Sequence, residues 1–226
     1  MALLELQGLR KSFSTPTGEV RRVVDIPELS VDSGEQVGVF GPSGSGKTTL
    51  LHLIAGILRP DAGRILLQGR DLTPLREPQL DRVRAESIGL IFQSFNLLQG
   101  FTALENVALG MAFGRGVDWQ RARHLLGRVG LAAYADYRPG QLSTGQQQRV
   151  AVARALAPKP ALVLADEPTA SLDEAHAQAA LKLIRELCQE ESAALMLVSH
   201  DPAVLRSFPR RLEMSLPAPA VGEGGT

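Results

Sequence analysis

Eight consecutive residues, Gly41-Pro42-Ser43-Gly44-Ser45-Gly46-Lys47-Thr48, constrain this chain more than any others. They match the pattern GxxxxGK[ST] at every fixed position. The flanks supply the strand and helix that such a loop needs. Gln36-Val37-Gly38-Val39-Phe40 reads as a short buried strand, and Thr49 to Gly56 reads as a helix. Glycines let the backbone wrap closely round an anion because no Cβ blocks the turn. The N–H groups then face phosphate oxygens, and the helix N-terminus adds partial positive charge. The Lys47 ammonium is expected at the β- and γ-phosphates and the Thr48 hydroxyl at Mg²⁺, with Thr49 completing the set around the nucleotide. The loop implies a nucleoside triphosphate ligand.

The rest of the chain alternates between two periodicities. Strands are expected at residues 2–9 and 20–31, Arg64 to Gln68, Ile88 to Phe92, Ala161 to Ala165 and Ala194 to Ser199. Helices are expected over Thr102 to Phe113, Trp119 to Val129 and Gln146 to Ala157, and again where Leu181, Ile184 and Leu187 recur. This order implies a parallel sheet covered by helices, with a helical insertion between about Leu97 and Arg149.

Two further segments carry chemistry. The apolar run Ala161-Leu162-Val163-Leu164-Ala165 ends in Asp166-Glu167. Ligands of open parallel sheets gather at the carboxyl ends of strands. Asp166 is therefore expected to hold the metal, through water, and Glu167 to polarise the attacking water as general base. Taken alone, the pair also fits a helix N-terminus with an acidic first turn. Leu142-Ser143-Thr144-Gly145-Gln146 has capping-box spacing between Ser143 and Gln146, so a helix should begin there. Gly145 beside that N-terminus leaves N–H groups open to an anion, although a well-capped helix is the plainer reading.

With these motifs in place, the chain resembles the nucleotide-binding subunit of an ATP-binding cassette (ABC) transporter, from about Leu3 to Met214. The family order is present: the phosphate loop, Gln93 in Phe92-Gln93-Ser94, the signature at 142–146, Asp166-Glu167, Ser171-Leu172-Asp173, and His200 in Ser199-His200-Asp201. The resemblance implies an α/β fold of the P-loop NTPase, ABC-cassette type. Its parts would be a RecA-like parallel sheet core, an N-terminal antiparallel β-subdomain and an inserted helical subdomain. A single ATPase domain is then expected over 1–216, with the core and β-subdomain at 1–92 and 150–216 and the helical part at 93–149.

The resemblance also implies roles. Two copies would pack head to tail as a homodimer. Ser143, Gly145 and Gln146 of one copy would clasp the ATP held by Lys47 of the other, with Asp173 at the contact between them. Gln93 would touch Mg²⁺ and relay nucleotide state, His200 would bond the γ-phosphate, and Phe13 would stack on adenine. His52, His124 and His176 gain no such support and read as helix residues. Thr144 departs from the family pattern, which carries Gly there. A β-branched side chain disfavours positive φ, so either the backbone is ordinary at Thr144 or the loop is shifted.

Finer segments, Leu51 to Gly56, Ser87 to Gln93, Phe101 to Val107 and Leu164 to Thr169, resemble the lipoprotein-release and macrolide-export ATPases. That implies a transmembrane permease partner with few spans and a peripheral place on the cytoplasmic face of the inner membrane. An importer ATPase, such as one for amino acids, shares many of these segments. A nucleotide-gated interaction module is an alternative of another class.

Composition sets limits. Lys plus Arg and Asp plus Glu are both 24, so no basic field exists to draw nucleic acid. Cys188 is the single cysteine and sits in a helical stretch, which fits a packing residue. No apolar stretch approaches the roughly 20 residues that span a bilayer, so membrane association is expected only through the partner. The N-terminus shows no secretory signal, and residues 217–226, rich in Pro, Ala and Gly, are expected to be disordered.

Overall fold

A computed structural model of the chain describes residues 2–16 and 18–216. The tail expected at 217–226 lies outside the described residues. Strands β1 (Ala2–Ser14) and β2 (Val20–Asp32) form a long antiparallel pair. The later strands β4 (Ala62–Leu67) and β5 (Arg70–Asp71) extend it to a sheet of order β2-β1-β4-β5. The second sheet is parallel throughout. Its order is β6 (Ile88–Ile91), β7 (Leu162–Asp166), β8 (Ala194–Val198), β3 (Gln36–Phe40), β9 (Arg210–Glu213).

The central strands read as continuous apolar runs because both faces are covered. Leu162, Leu164, Ala194, Met196 and Val198 pack toward the antiparallel sheet and α1 (Lys47–Ile54). Their neighbours Val163, Ala165, Leu195 and Leu197 face the other way. There they meet α3 (Ala103–Ala112), α4 (Trp119–Arg128), α5 (Thr144–Leu156) and α6 (Glu174–Glu190). Two helices complete the set, α2 (Glu77–Ser87) before β6 and α7 (Pro202–Arg206) after β8. Helix α5 runs unbroken through residue 150, so the division expected at 149/150 falls inside one helix.

The elements that the apolar pattern does not announce are those with little to bury. In α2 only Leu80 and Val83 are buried, and its first turn carries Pro78. Strand β9 is an edge strand with the sequence Arg210-Arg211-Leu212-Glu213. It is fixed by its pairing with β3 and by Arg210, which donates to Ser30 O at 2.8 Å and to Glu35 at 2.8 Å. Cys188 is fully buried, and desolvation pushes its thiol up to about 12, as suits a packing residue.

The part of the β6–α3 connection that enters α3 is held by a buried side chain, Asn106. Asn106 Oδ1 accepts from Leu98 N at 2.8 Å. Its Nδ2 is shared among Leu98 O, Phe101 O and Thr102 O at 3.1, 3.2 and 2.9 Å. Replacing it leaves part-buried backbone groups without these partners. Asn106→Leu is expected to lower unfolding stability by about 2–4 kcal/mol in urea denaturation. A loss below about 0.5 kcal/mol, the scale of an ordinary surface change, would contradict this role.

Candidate nucleotide site and signature edge

Four strand ends of the parallel sheet open toward one region. In register, Val39 lies beside Val198 and Val198 beside Asp166, while Ile91 lies beside Ala165. The segments leaving β3, β6, β7 and β8 are therefore the phosphate loop, Gln93, Asp166-Glu167 and His200. This is the edge at which open α/β sheets bind ligands.

The loop over Gly41–Thr48 is shaped by glycines that other residues cannot replace. Gly41 has φ 151°, and a Cβ there would lie 2.1 Å from Met214 O. Gly46 has φ 89°, and its Cβ would lie 2.3 Å from Val23 O. Gly46 caps α1 with no side-chain hydrogen bond, so the first-turn N–H groups are left for a ligand. Lys47 Nζ donates to Gly41 O at 2.8 Å and to Pro42 O at 2.9 Å, which holds the ammonium over the loop. Ser45 is buried and its hydroxyl has no partner among the described residues. Pro42, Ser43, Gly44 and Thr48 are exposed, and Thr49 is half-buried.

Asp166 Oδ1 is likewise buried without a partner. An unpartnered buried carboxylate oxygen is costly unless something satisfies it. A hard oxygen donor at a phosphate site is the group that Mg²⁺ takes, so the residues present fit that ion. Glu167 has a left-handed backbone, φ 46°, uncommon for a residue with a side chain. Its N–H bonds Val198 O at 3.1 Å, and its carboxylate Oε1 lies 2.9 Å from His200 Nδ1. Gln93 is exposed just past β6. Phe13 is 42% exposed at the end of β1 and so is no core residue, and Lys11 Nζ lies 5.5 Å from its ring centroid.

Ser143, Gly145 and Gln146 form a second group at the N-terminus of α5. Ser143 Oγ accepts from Gln146 N at 3.3 Å, and Gln146 Oε1 accepts from Ser143 N at 2.9 Å. Thr144 opens the helix and is not among the residues with positive φ, so its backbone is ordinary. A Cβ at Gly145 would find nothing nearer than His176 Cδ2 at 4.0 Å, so this face is open. Asp173 caps α6. Its carboxylate accepts from His176 N at 3.1 Å and meets His176 Nδ1 at 2.6 Å. The backbone N–H of His176, followed by its ring, holds the Asp173 carboxyl below the usual range.

Sequence reasoning left three contributors unassigned. His176 joins Asp173 to the Gly145 face; its signal was the i,i+3 spacing from a helix N-cap. Gln148 is buried and donates from Nε2 to Pro168 O, which ties α5 to the turn after Glu167. Arg154 is a cation inside the apolar run Val150 to Leu156.

Residues 24–170 match the family model described as ABC transporter. LolD 2 of Caulobacter vibrioides, a lipoprotein-releasing system ATP-binding protein, is 42% identical over 213 residues, covering 92% of this chain and 92% of that protein. The macrolide export ATP-binding/permease protein MacB of Syntrophobacter fumaroxidans is 42% identical over 90% of this chain, which spans 29% of that longer protein. A dimeric post-hydrolysis structure of the ATP-binding cassette MJ0796 bound to ADP and Pi aligns with a TM-score of 0.85 and 34% identity. The alignment covers 95% of this chain and 97% of that one.

Proposed function

The chain belongs to the ABC transporter family, and from that premise we propose that it is the ATPase subunit of a system of the lipoprotein-release or macrolide-export type. What carries the reading is a complete phosphate loop combined with the Glu167–His200 contact of 2.9 Å at the neighbouring strand end. Its relatives LolD and MacB are named for lipoprotein release and macrolide export, at 42% identity each.

In this reading the loop N–H groups and Lys47 cradle the phosphates, and Phe13 stacks on adenine. Thr48, Gln93 and Asp166 would hold Mg²⁺, which would supply positive charge to the β- and γ-phosphates. Glu167 accepts the proton of the attacking water, and His200 orients that carboxylate and bonds the γ-phosphate. Ser143, Gly145 and Gln146 of a second copy close the site from the opposite side, with Asp173 at the contact. That arrangement gives the free N–H groups of α5 their anion. It is supported by the dimeric state of the MJ0796 cassette.

The chain then acts as one ATPase domain. Among the described residues no helix is long and apolar enough to cross a membrane. Attachment to the cytoplasmic face of the inner membrane is accordingly assigned to a permease partner.

Purifying the Glu167→Gln protein with ATP from solubilised host membranes tests this. A few-span protein with a large extracytoplasmic domain is the expected companion. A compact multi-span permease would replace the reading with an importer. A nucleotide-bound dimer with no membrane protein would replace it with a regulatory module.

A further inference from the structure

Arg154 is a half-buried cation in the last turn of α5. Partial burial pulls its guanidinium below its usual value, and no carboxylate offsets that effect. A charge drawn partly out of water without a counter-ion is costly unless protein groups take its donors. Its donors go to one place. Nη1 donates to Asn96 O at 2.6 Å and Nη2 to Phe95 O at 2.6 Å. Those two residues are the left-handed pair of the loop after β6, with φ 57° at Phe95 and 49° at Asn96. Consecutive non-glycine residues in that region are strained and persist only where surroundings over-determine them.

The same helix is fixed on two other sides. Gln148 holds the turn after Glu167. Helix α3 approaches so closely that a Cβ on Gly110 would lie 2.3 Å from Arg154 O. Arg121, by contrast, caps the C-terminal carbonyls of α5, donating to Leu156 O and Ala157 O at 2.7 Å each. That contact is remote in sequence from the Gln93 loop.

We propose that Arg154 is a positioning residue: it clamps the Gln93 loop to the signature helix, so that the Gln93 amide and Ser143 are carried by one body. This rests on the placement of Gln93 at the metal given above. Arg154 touches neither nucleotide nor metal. It acts through the carbonyls of Phe95 and Asn96, two and three residues beyond Gln93.

The test compares ATP affinity with and without Mg²⁺, by calorimetry, in the full chain. The gain in affinity that Mg²⁺ confers is expected to fall about threefold to tenfold in Arg154→Met, as coupling through a single contact allows. Affinity without Mg²⁺ should be unchanged. Gln93→Ala should lose the same gain, and the double variant should lose no more than Gln93→Ala alone, since both act on one contact. Arg154→Lys, which keeps the charge but not the fork, should fall between parent and Met and guards against loss of folding. Arg121→Met is the control; it should lower Tm without changing the Mg²⁺ gain. A normal gain in Arg154→Met beside a reduced one in Gln93→Ala overturns the clamp and leaves the Gln93 assignment standing. A normal gain in both overturns the clamp and that assignment together.

Discussion

Glu167→Gln is expected to turn over ATP about 10²–10⁴ times more slowly than the parent chain, the range lost with a general base. Its ATP affinity should stay close to that of the parent. The amide has nearly the shape of the carboxylate and can still meet His200, which lies 2.9 Å from Oε1. It cannot take a proton from water. The backbone position, with φ 46° and an N–H bonded to Val198 O at 3.1 Å, does not depend on the side chain's charge. The expected effect is therefore on kcat, with binding spared. Single-turnover hydrolysis together with equilibrium ATP binding separates the two, and turnover near that of the parent would remove Glu167 from the mechanism.

Lys47→Ala has the opposite signature. Lys47 holds Gly41 O and Pro42 O at 2.8 and 2.9 Å, and its ammonium is the one cation within the phosphate loop. A charge-assisted bond to phosphate contributes about 1.5–3 kcal/mol, so ATP affinity should drop about tenfold to a hundredfold. Fluorescence titration with a labelled ATP analogue measures this. Unchanged affinity would contradict the assignment of the loop as the nucleotide cradle.

Both predictions concern residues that could be read from the chain before any coordinates. The phosphate loop and the strand before Asp166 are legible because they are local. A glycine pattern fixes a turn, and an apolar run of five marks a strand buried on both faces. The edge strand Arg210–Glu213 is not legible, because its stability comes from β3 and from the contacts of Arg210 with Ser30 and Glu35, far away in sequence. Helix α2 is hidden for a related reason: with only Leu80 and Val83 buried, it has almost no apolar face to announce it.

The site divides in the same way. Ser143 and Gln146 announce themselves by capping spacing, which is a local rule. Arg154 does not, because it acts through groups that only folding brings near. The reach of Arg154 to Phe95 O and Asn96 O crosses almost sixty positions of chain, 59 and 58 respectively. Even so, a charged residue within the apolar run Val150 to Leu156 is visible in the sequence, since arginine is mostly exposed.

The central claim is that the phosphate loop of one copy and the signature helix of another form one site around one nucleotide. The most direct measurement is the solution mass of the Glu167→Gln protein by light scattering, with and without ATP and Mg²⁺. The single-chain mass of 24.2 kDa is expected without nucleotide and twice that mass with it. Lys47→Ala introduced into the same protein is expected to keep the single-chain mass under both conditions. A Glu167→Gln protein that binds ATP fully and still shows the single-chain mass would contradict that claim.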